Sequence, residues 1–341
     1  LLIWFERKVV AGMQSRVGPD RAGPFGILQT LADAIKLLLK EQILPSKADR
    51  AMYLLAPLIA LVPSFLIFMI IPLGPDITVE WQNALYTIPL VGADLNVGVL
   101  YFLALSSIAV YSVVLAGWSS GSKYPLLGGV RASAQMISYE AAMGLALVPV
   151  ILYSGSLSLV DIVNSQSGNL STSIPILNTI VSFIPKWNIF PQFVAFGIFF
   201  IAAVAEVNRA PFDLVEAEQE LVGGFHTEYS GFRFAMFFLA EYINMFNMCA
   251  ITATFFLGGW LGPTFEGILP PIFSVIMPII WLGVKTFLLL FVFVWIRATL
   301  PRLRYDQLME LGWKRMIPLS LVWLILSAIV LGLREFGLPW S

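Results

Sequence analysis

Apolar runs of about twenty residues recur along the chain, separated by shorter segments in which the charges collect. Hydropathy places seven spans at 52–72, 97–118, 134–153, 191–207, 234–259, 275–296 and 316–333, the fifth in the row of eight being the shortest. Ahead of them, the apolar Leu1–Phe5 meets Glu6-Arg7-Lys8. That reads as the tail of a first membrane helix whose start is missing, since no small-residue signal cleavage site is visible. Pro57, Pro63 and Pro278 fall inside spans, where neighbouring helices can satisfy the freed carbonyls. The pattern predicts an all-α polytopic membrane protein: one membrane domain over 1–341 with about eight transmembrane helices.

Between the first two spans the period changes. Ile27, Leu28, Leu31, Ile35, Leu38 and Leu39 share one side of a helix, and Gln29, Asp33, Lys36 and Lys40 share the other. An amphipathic helix over 26–41, lying along the membrane surface, is expected. No inverted repeat of the transporter kind is visible.

Charge fixes the orientation. Of the 20 Lys and Arg, 17 fall in one set of alternate loops: 6–50, 119–133, 208–233 and 297–315. The opposite loops and the C-terminus hold only Lys186 and Arg334, and Lys285 lies within a span. The positive-inside rule puts the basic loops on the cytoplasmic or matrix side. Positive-inside anchoring suffices to explain Lys314 and Arg315. The formal net charge is −1 and no basic stripe stands out, which argues against nucleic acid as a partner. One cysteine, Cys249, and one histidine, His226, cannot assemble a zinc, haem or iron–sulfur site in this chain. Cys249 reads as a packing residue.

Ionisable groups within spans are costly, so each is a functional candidate. Glu140 and Glu241 lie about seven residues into their spans, which predicts matching depth of about 10 Å and a shared wet cavity. Glu206 ends the fifth span. Lys285 sits near the middle of the seventh, free either to act or to neutralise a glutamate. The loop after Glu206, Glu206-Val-Asn-Arg-Ala-Pro-Phe-Asp-Leu-Val-Glu-Ala-Glu-Gln-Glu220, sets Asp213, Glu216 and Glu220 on one helical face, where like charges repel. Alone it reads as a solvated acidic loop (207–233); beside buried glutamates it turns toward a proton or ion pathway. The Arg16–Gly26 loop has Gly-Pro turns but no phosphate-loop spacing.

These stretches carry a resemblance. Glu6-Arg-Lys, Arg16–Gly26, Gly26–Glu41, Ser138-Tyr-Glu140, Asn208-Arg-Ala-Pro-Phe-Asp213 through Glu220, Ala240-Glu-Tyr242 and Ile296–Trp313 occur in the order found in one family. The chain resembles the quinone-site membrane subunit of respiratory complex I, lettered H in bacteria and numbered one in mitochondria. The resemblance implies a subunit of an NADH:quinone oxidoreductase with no redox centre or catalytic residue of its own, and no metal. The resemblance places it in an energy-converting membrane, the bacterial plasma membrane or the mitochondrial inner membrane. Quinone is the implied substrate. FMN and iron–sulfur clusters are then expected in partner subunits, and the implied partners include the quinone-site subunits of the peripheral arm and the small membrane subunits of the pumping arm. It further implies that Arg7, Arg16, Asp33, Arg209, Phe212, Tyr242, Arg297 and Arg302 line or shape the quinone path. Glu140, Glu206, Asp213, Glu216, Glu218, Glu220 and Glu241 would form an acidic route coupling quinone reduction to proton pumping. Val207 stands where threonine is common, and 75–94 and 155–190 match less well.

Two alternatives remain at this point. One is the related membrane subunit of an energy-converting hydrogenase or ferredoxin-linked complex; the Arg16–Gly26 loop and the Arg297 cluster count against it. The other is a stand-alone transporter, which the large acidic loop and the lack of repeats disfavour.

Overall fold

The computed structural model describes residues 1–81, 84–168, 185–213, 222–263 and 272–336. They form a helical bundle in chain order: α1 (Leu2–Met13), α2 (Gln29–Leu39), α3 (Arg50–Phe68), α4 (Gly98–Ser119), α5 (Lys123–Ser154) and α6 (Leu159–Ser165). There follow α7 (Phe193–Glu206), α8 (Gly231–Phe256), α9 (Ile272–Thr299), α10 (Tyr305–Glu310) and α11 (Ile317–Phe336). A π-type turn at Leu311–Met316 joins the last two into one apolar rod. Six helices among the described residues are long and apolar enough to cross a membrane, and α7 is a shorter apolar one.

Each of the seven complete spans corresponds to a helix, but several boundaries differ from expectation. α5 starts at Lys123, so most of the loop expected at 119–133 is helix. Its 32 residues rise about 48 Å, beyond the ~30 Å apolar thickness, so hydropathy marks only its inner part. The loop expected at 297–315 shrinks likewise, because α9 runs through Arg297 and α10 starts at Tyr305. α1 does not stop at the charges but continues to Met13. α7 rises only about 21 Å. Its short reach is tolerable because the chain before it, Asn188–Gln192, is held by protein hydrogen bonds.

A hairpin of β1 (Ile77–Trp81) and β2 (Ala84–Ile88) occupies the 75–94 loop, where hydropathy predicts no element. Its β-branched and aromatic residues flank two connecting positions, a hairpin pattern that the neighbouring membrane spans overshadow.

α5 is the central post, with α4, α7 and α11 against it, while α8 packs on α3 and α9. Small residues let α4 and α5 approach closely: a Cβ on Gly117 would lie 2.6 Å from the Pro125 carbonyl. The core runs through Phe102, Tyr139, Leu147, Phe199 and Phe255, all fully buried.

Candidate functional site

The stretch after α1 folds back on it. Arg16 N–H donates to the Ala11 carbonyl, and the Trp4 indole donates to the Phe25 carbonyl at 2.9 Å. Gly26 takes φ +74°, and a Cβ there would collide with the Pro19 carbonyl. The Gly-Pro turns thus press one backbone onto another, which only glycine permits. α2 lies beside α1 and α8, its Leu31, Ile35 and Leu38 exposed as the amphipathic pattern predicts. It spans Gln29–Leu39, shorter at both ends than the expected 26–41.

Between α1, this loop, α8 and the end of α9 lies a cavity of about 660 Å³, lined by Glu6, Arg7, Arg16, Arg209, Tyr242 and Arg297 among others. Five residues expected on the quinone path therefore share one wall system. A sixth, Asp33, stands beside it, pairing with Arg7 at 2.7 Å and accepting from Gln29. Burial alone would raise the Asp33 carboxyl, but the hydrogen bonds from Arg7 and Gln29 outweigh it and hold the group below its ordinary value.

The charges in this cavity form a chain. Glu6, 4% exposed, accepts from Arg297 and, at 3.2 Å, from Arg209. Arg209 also pairs through Nε with Glu241 at 2.7 Å, and its guanidinium covers the Tyr242 ring at 4.5 Å. A buried guanidinium held by two carboxylates and a ring is fixed in place, and any charge change at one partner reaches the others.

Glu241 belongs to a second, narrower cavity with Glu206, Asp213, Asn244 and His226, and Phe238 borders both cavities. From Glu206 the polar path continues through Ser106, which hydrogen-bonds to Glu140 at 3.3 Å and also faces Glu206. Ser107 donates to Glu140 too. Beyond it a third cavity, about 320 Å³ and lined by Leu103, Ile137 and Gly144, opens to the bundle's exterior. Glu140 lies 17 residues past the start of α5 and Glu241 lies 10 past the start of α8. Both helices begin several residues before the apolar spans do.

Other expected residues fall elsewhere. Phe212 is buried behind Arg209, its ring edge-on to Tyr139 at 5.3 Å, and does not line the cavity. Arg302 is exposed outside it. Glu216, Glu218 and Glu220 lie outside the described residues. Lys285 is not paired to any glutamate among the described residues; its ammonium donates to the carbonyls of Leu257, Gly259 and Leu261. Cys249 is fully buried in the core.

Two residues of the site escape the sequence reading. Glu6 stands out there only as part of a motif, yet it is the hub of the arginines. The apolar Val9-Val10-Ala11 after it is the signal that the helix continues past the charges. Gln135 donates to the Ala205 and Phe212 carbonyls, both at 2.9 Å, and so holds the Arg209–Asp213 turn. A glutamine shortly before Glu140 in an apolar span carries that hint.

The fold and these cavities define a polytopic membrane protein whose buried charge chain joins a roomy cavity to an acidic interior. The chain belongs to the NADH dehydrogenase family, whose model matches residues 1–328. It is 48% identical to an NADH-quinone oxidoreductase H-type subunit of Koribacter versatilis, over 97% of this chain and 92% of the relative. It is 52% identical to an H-type subunit of the same oxidoreductase from Geobacter metallireducens, over 96% and 89%. With the H-type subunit of Ralstonia nicotianae it shares 51% identity over 96% and 86%.

Proposed function

We propose that the chain is the membrane subunit of an NADH-quinone oxidoreductase that houses the quinone path and passes the charge change of quinone reduction to a proton route. The carrying observation is Arg209, which lines the large cavity, pairs with Glu6 there, and pairs with Glu241 of the acidic cavity. The names of relatives matching nearly the whole chain favour this reading over a hydrogenase-type subunit or a transporter.

Quinone is the substrate, and the electrons come from FMN and iron–sulfur clusters in partner subunits. This chain's share is electrostatic and protonic. Reduction makes the headgroup more negative until it takes up two protons. A growing negative charge near Arg209 and Arg297 competes with Glu6 and Glu241 for the guanidiniums. Glu241, losing part of its partner, is the first acid to feel the new charge, and a charge change at one of several coupled acids is felt by all of them. Asp213, Glu206 and Glu140 carry the response along Ser106 toward the exterior cavity, and Glu216, Glu218 and Glu220 of the acidic loop feed it. Arg7, Asp33, Arg16 and α2 shape the mouth through which an apolar tail passes from the membrane.

A photo-reactive quinone analogue in native membranes tests this. Labelling of peptides holding residues 6–19 or 238–242, lost with excess quinone, is expected; labelling confined to other chains overturns the quinone site. Glu140→Gln and Glu241→Gln should each impair proton pumping while the complex still assembles. Full pumping in both would overturn the coupling role.

A further inference from the structure

α8 ends in a plug, and the structure assigns it a task. Past Asn247, the helix buries Met248, Cys249, Ala250, Ile251, Ala253, Phe255 and Phe256 to 2% exposure or less. The carbonyls at its end are then occupied. Gln166 donates to Thr254 at 2.9 Å, Asn188 to Phe255 at 2.9 Å, and the Ile189 N–H to Phe256 at 2.9 Å. Lys285, reaching across from α9 and 6% exposed, takes Leu257 at 2.6 Å, Gly259 at 3.0 Å, and Leu261. The Trp187 ring covers the ammonium at 4.3 Å and packs against Gly258.

This end lies opposite the basic loops, on the far side of the membrane from the cavities. A polar trail leads toward it. Glu241 and Asn244 line the acidic cavity, and Asn247, one turn further, donates to the Ser64 carbonyl at 2.7 Å. The amide oxygens of Asn244 and Asn247 have no partner among the described residues, nor has the hydroxyl of Thr286, next to Lys285 in the chain. Among the described residues, two buried turns and one ammonium separate that trail from the opposite face, and the only hydroxyls in those turns, of Thr252 and Thr254, donate back to the Met248 and Ala250 carbonyls.

We infer that Lys285 and its carbonyl cradle form a seal that keeps protons of the acidic cavity from crossing straight along α8, leaving the lateral way past Glu140. A fixed cation near the far end repels protons, as positive charges do in water-selective pores. Its three hydrogen bonds also occupy the carbonyls on which a water chain would grow. A helix cap alone needs no such burial under an aromatic ring. The inference rests on the proposed proton route.

The test uses the intact complex in liposomes, with internal pH followed by a dye under a potassium diffusion potential and no NADH. Lys285→Met is expected to raise passive proton conductance several-fold per assembled complex, with quinone reductase turnover close to wild type. Lys285→Arg should restore low conductance. Wild-type conductance in Lys285→Met complexes overturns the seal and leaves a structural cap. If that variant does not assemble, Trp187→Leu should raise conductance by a smaller factor, and an unchanged value there overturns the seal equally. Proton uptake on NADH addition to the wild type judges the coupling proposal separately: its absence defeats that reading whatever the conductances are.

Discussion

The two ends of α8 solve the same problem, polar groups within a membrane, in opposite ways. At the basic end, Glu241 and Tyr242 face cavities, and the Oε2 atoms of Glu6 and Glu206 and the Oδ1 of Asn244 lack partners among the described residues. At the other end the terminal carbonyls are taken by Gln166, Asn188 and Lys285. A satisfied polar cluster is rigid, while a half-satisfied one keeps the capacity to bind a ligand or move a proton. Lysine and arginine serve both designs, so what a buried cation does is decided by whether it meets carbonyls or carboxylates.

The largest expected effect comes from breaking the basic end at its hub. Arg209→Met removes the partner that Glu6 and Glu241 share, a loss of about 3–5 kcal/mol where a buried pair is broken, even though Glu6 keeps Arg297. Quinone reductase activity should fall on the order of a hundredfold or more in complexes that still assemble on native gels. Arg209→Lys should recover little, because one ammonium cannot reproduce the fork between Glu6 and Glu241. Near-normal turnover in Arg209→Met would show that the charge chain is scaffolding.

Gln166→Leu probes the other end and should separate stability from turnover. It leaves the Thr254 carbonyl and the N–H groups of Gly258 and Asn188 unpaired, at about 1–3 kcal/mol for each group that finds no substitute. The complex should dissociate at lower temperature, while the quinone reductase rate per intact complex stays near wild type. An equal fall in both would mean that the two ends are not independent.

Much of this contrast is legible in the sequence. Spans of apolar residues and the segregation of 17 basic residues depend on sums over many positions, so single exceptions do not blur them. The arginines and glutamates are legible as motifs. Their pairing is not, because Glu6 and Arg209 lie 203 positions apart and hydropathy counts each as an isolated penalty. For the same reason Glu6-Arg7-Lys8 reads as the end of a helix: once Glu6 is neutralised by two arginines, α1 can pass straight through. Lys285 illustrates the converse. Its depth leaves open whether it acts or neutralises a glutamate, and the groups it meets are backbone carbonyls, which no side-chain pattern reveals. Arg302 and Phe212 share motifs with cavity residues without sharing their position.

Gly26→Ala should act more mildly and at the mouth of the cavity alone. A methyl group there meets the Pro19 backbone and the φ of +74° is unfavourable for alanine, at about 1–2 kcal/mol from conformation alone. The Arg16–Pro19 segment that lines the cavity must shift. The apparent KM for quinone should rise several-fold with kcat nearly kept, whereas a fall in kcat alone would place the loop's influence at the headgroup.

The smallest effect belongs to the pair at the rim. Arg7 and Asp33 are 49% and 31% exposed, so solvent and salt screen them, and the pair contributes up to about 1 kcal/mol. Because the folded Asp33 carboxyl lies below its ordinary value, the contribution is complete above the ordinary carboxylate range and disappears as pH falls through it toward the lowered value. Asp33→Asn removes the charge at every pH. Between about pH 6 and 8 the KM ratio of variant to wild type should be small and flat, and it should narrow below about pH 4. Raising the salt at pH 7 should narrow it too. A ratio that widens on acidification would mean that Asp33 is needed in its protonated form, and the mouth would then belong to the proton route instead of merely bordering it.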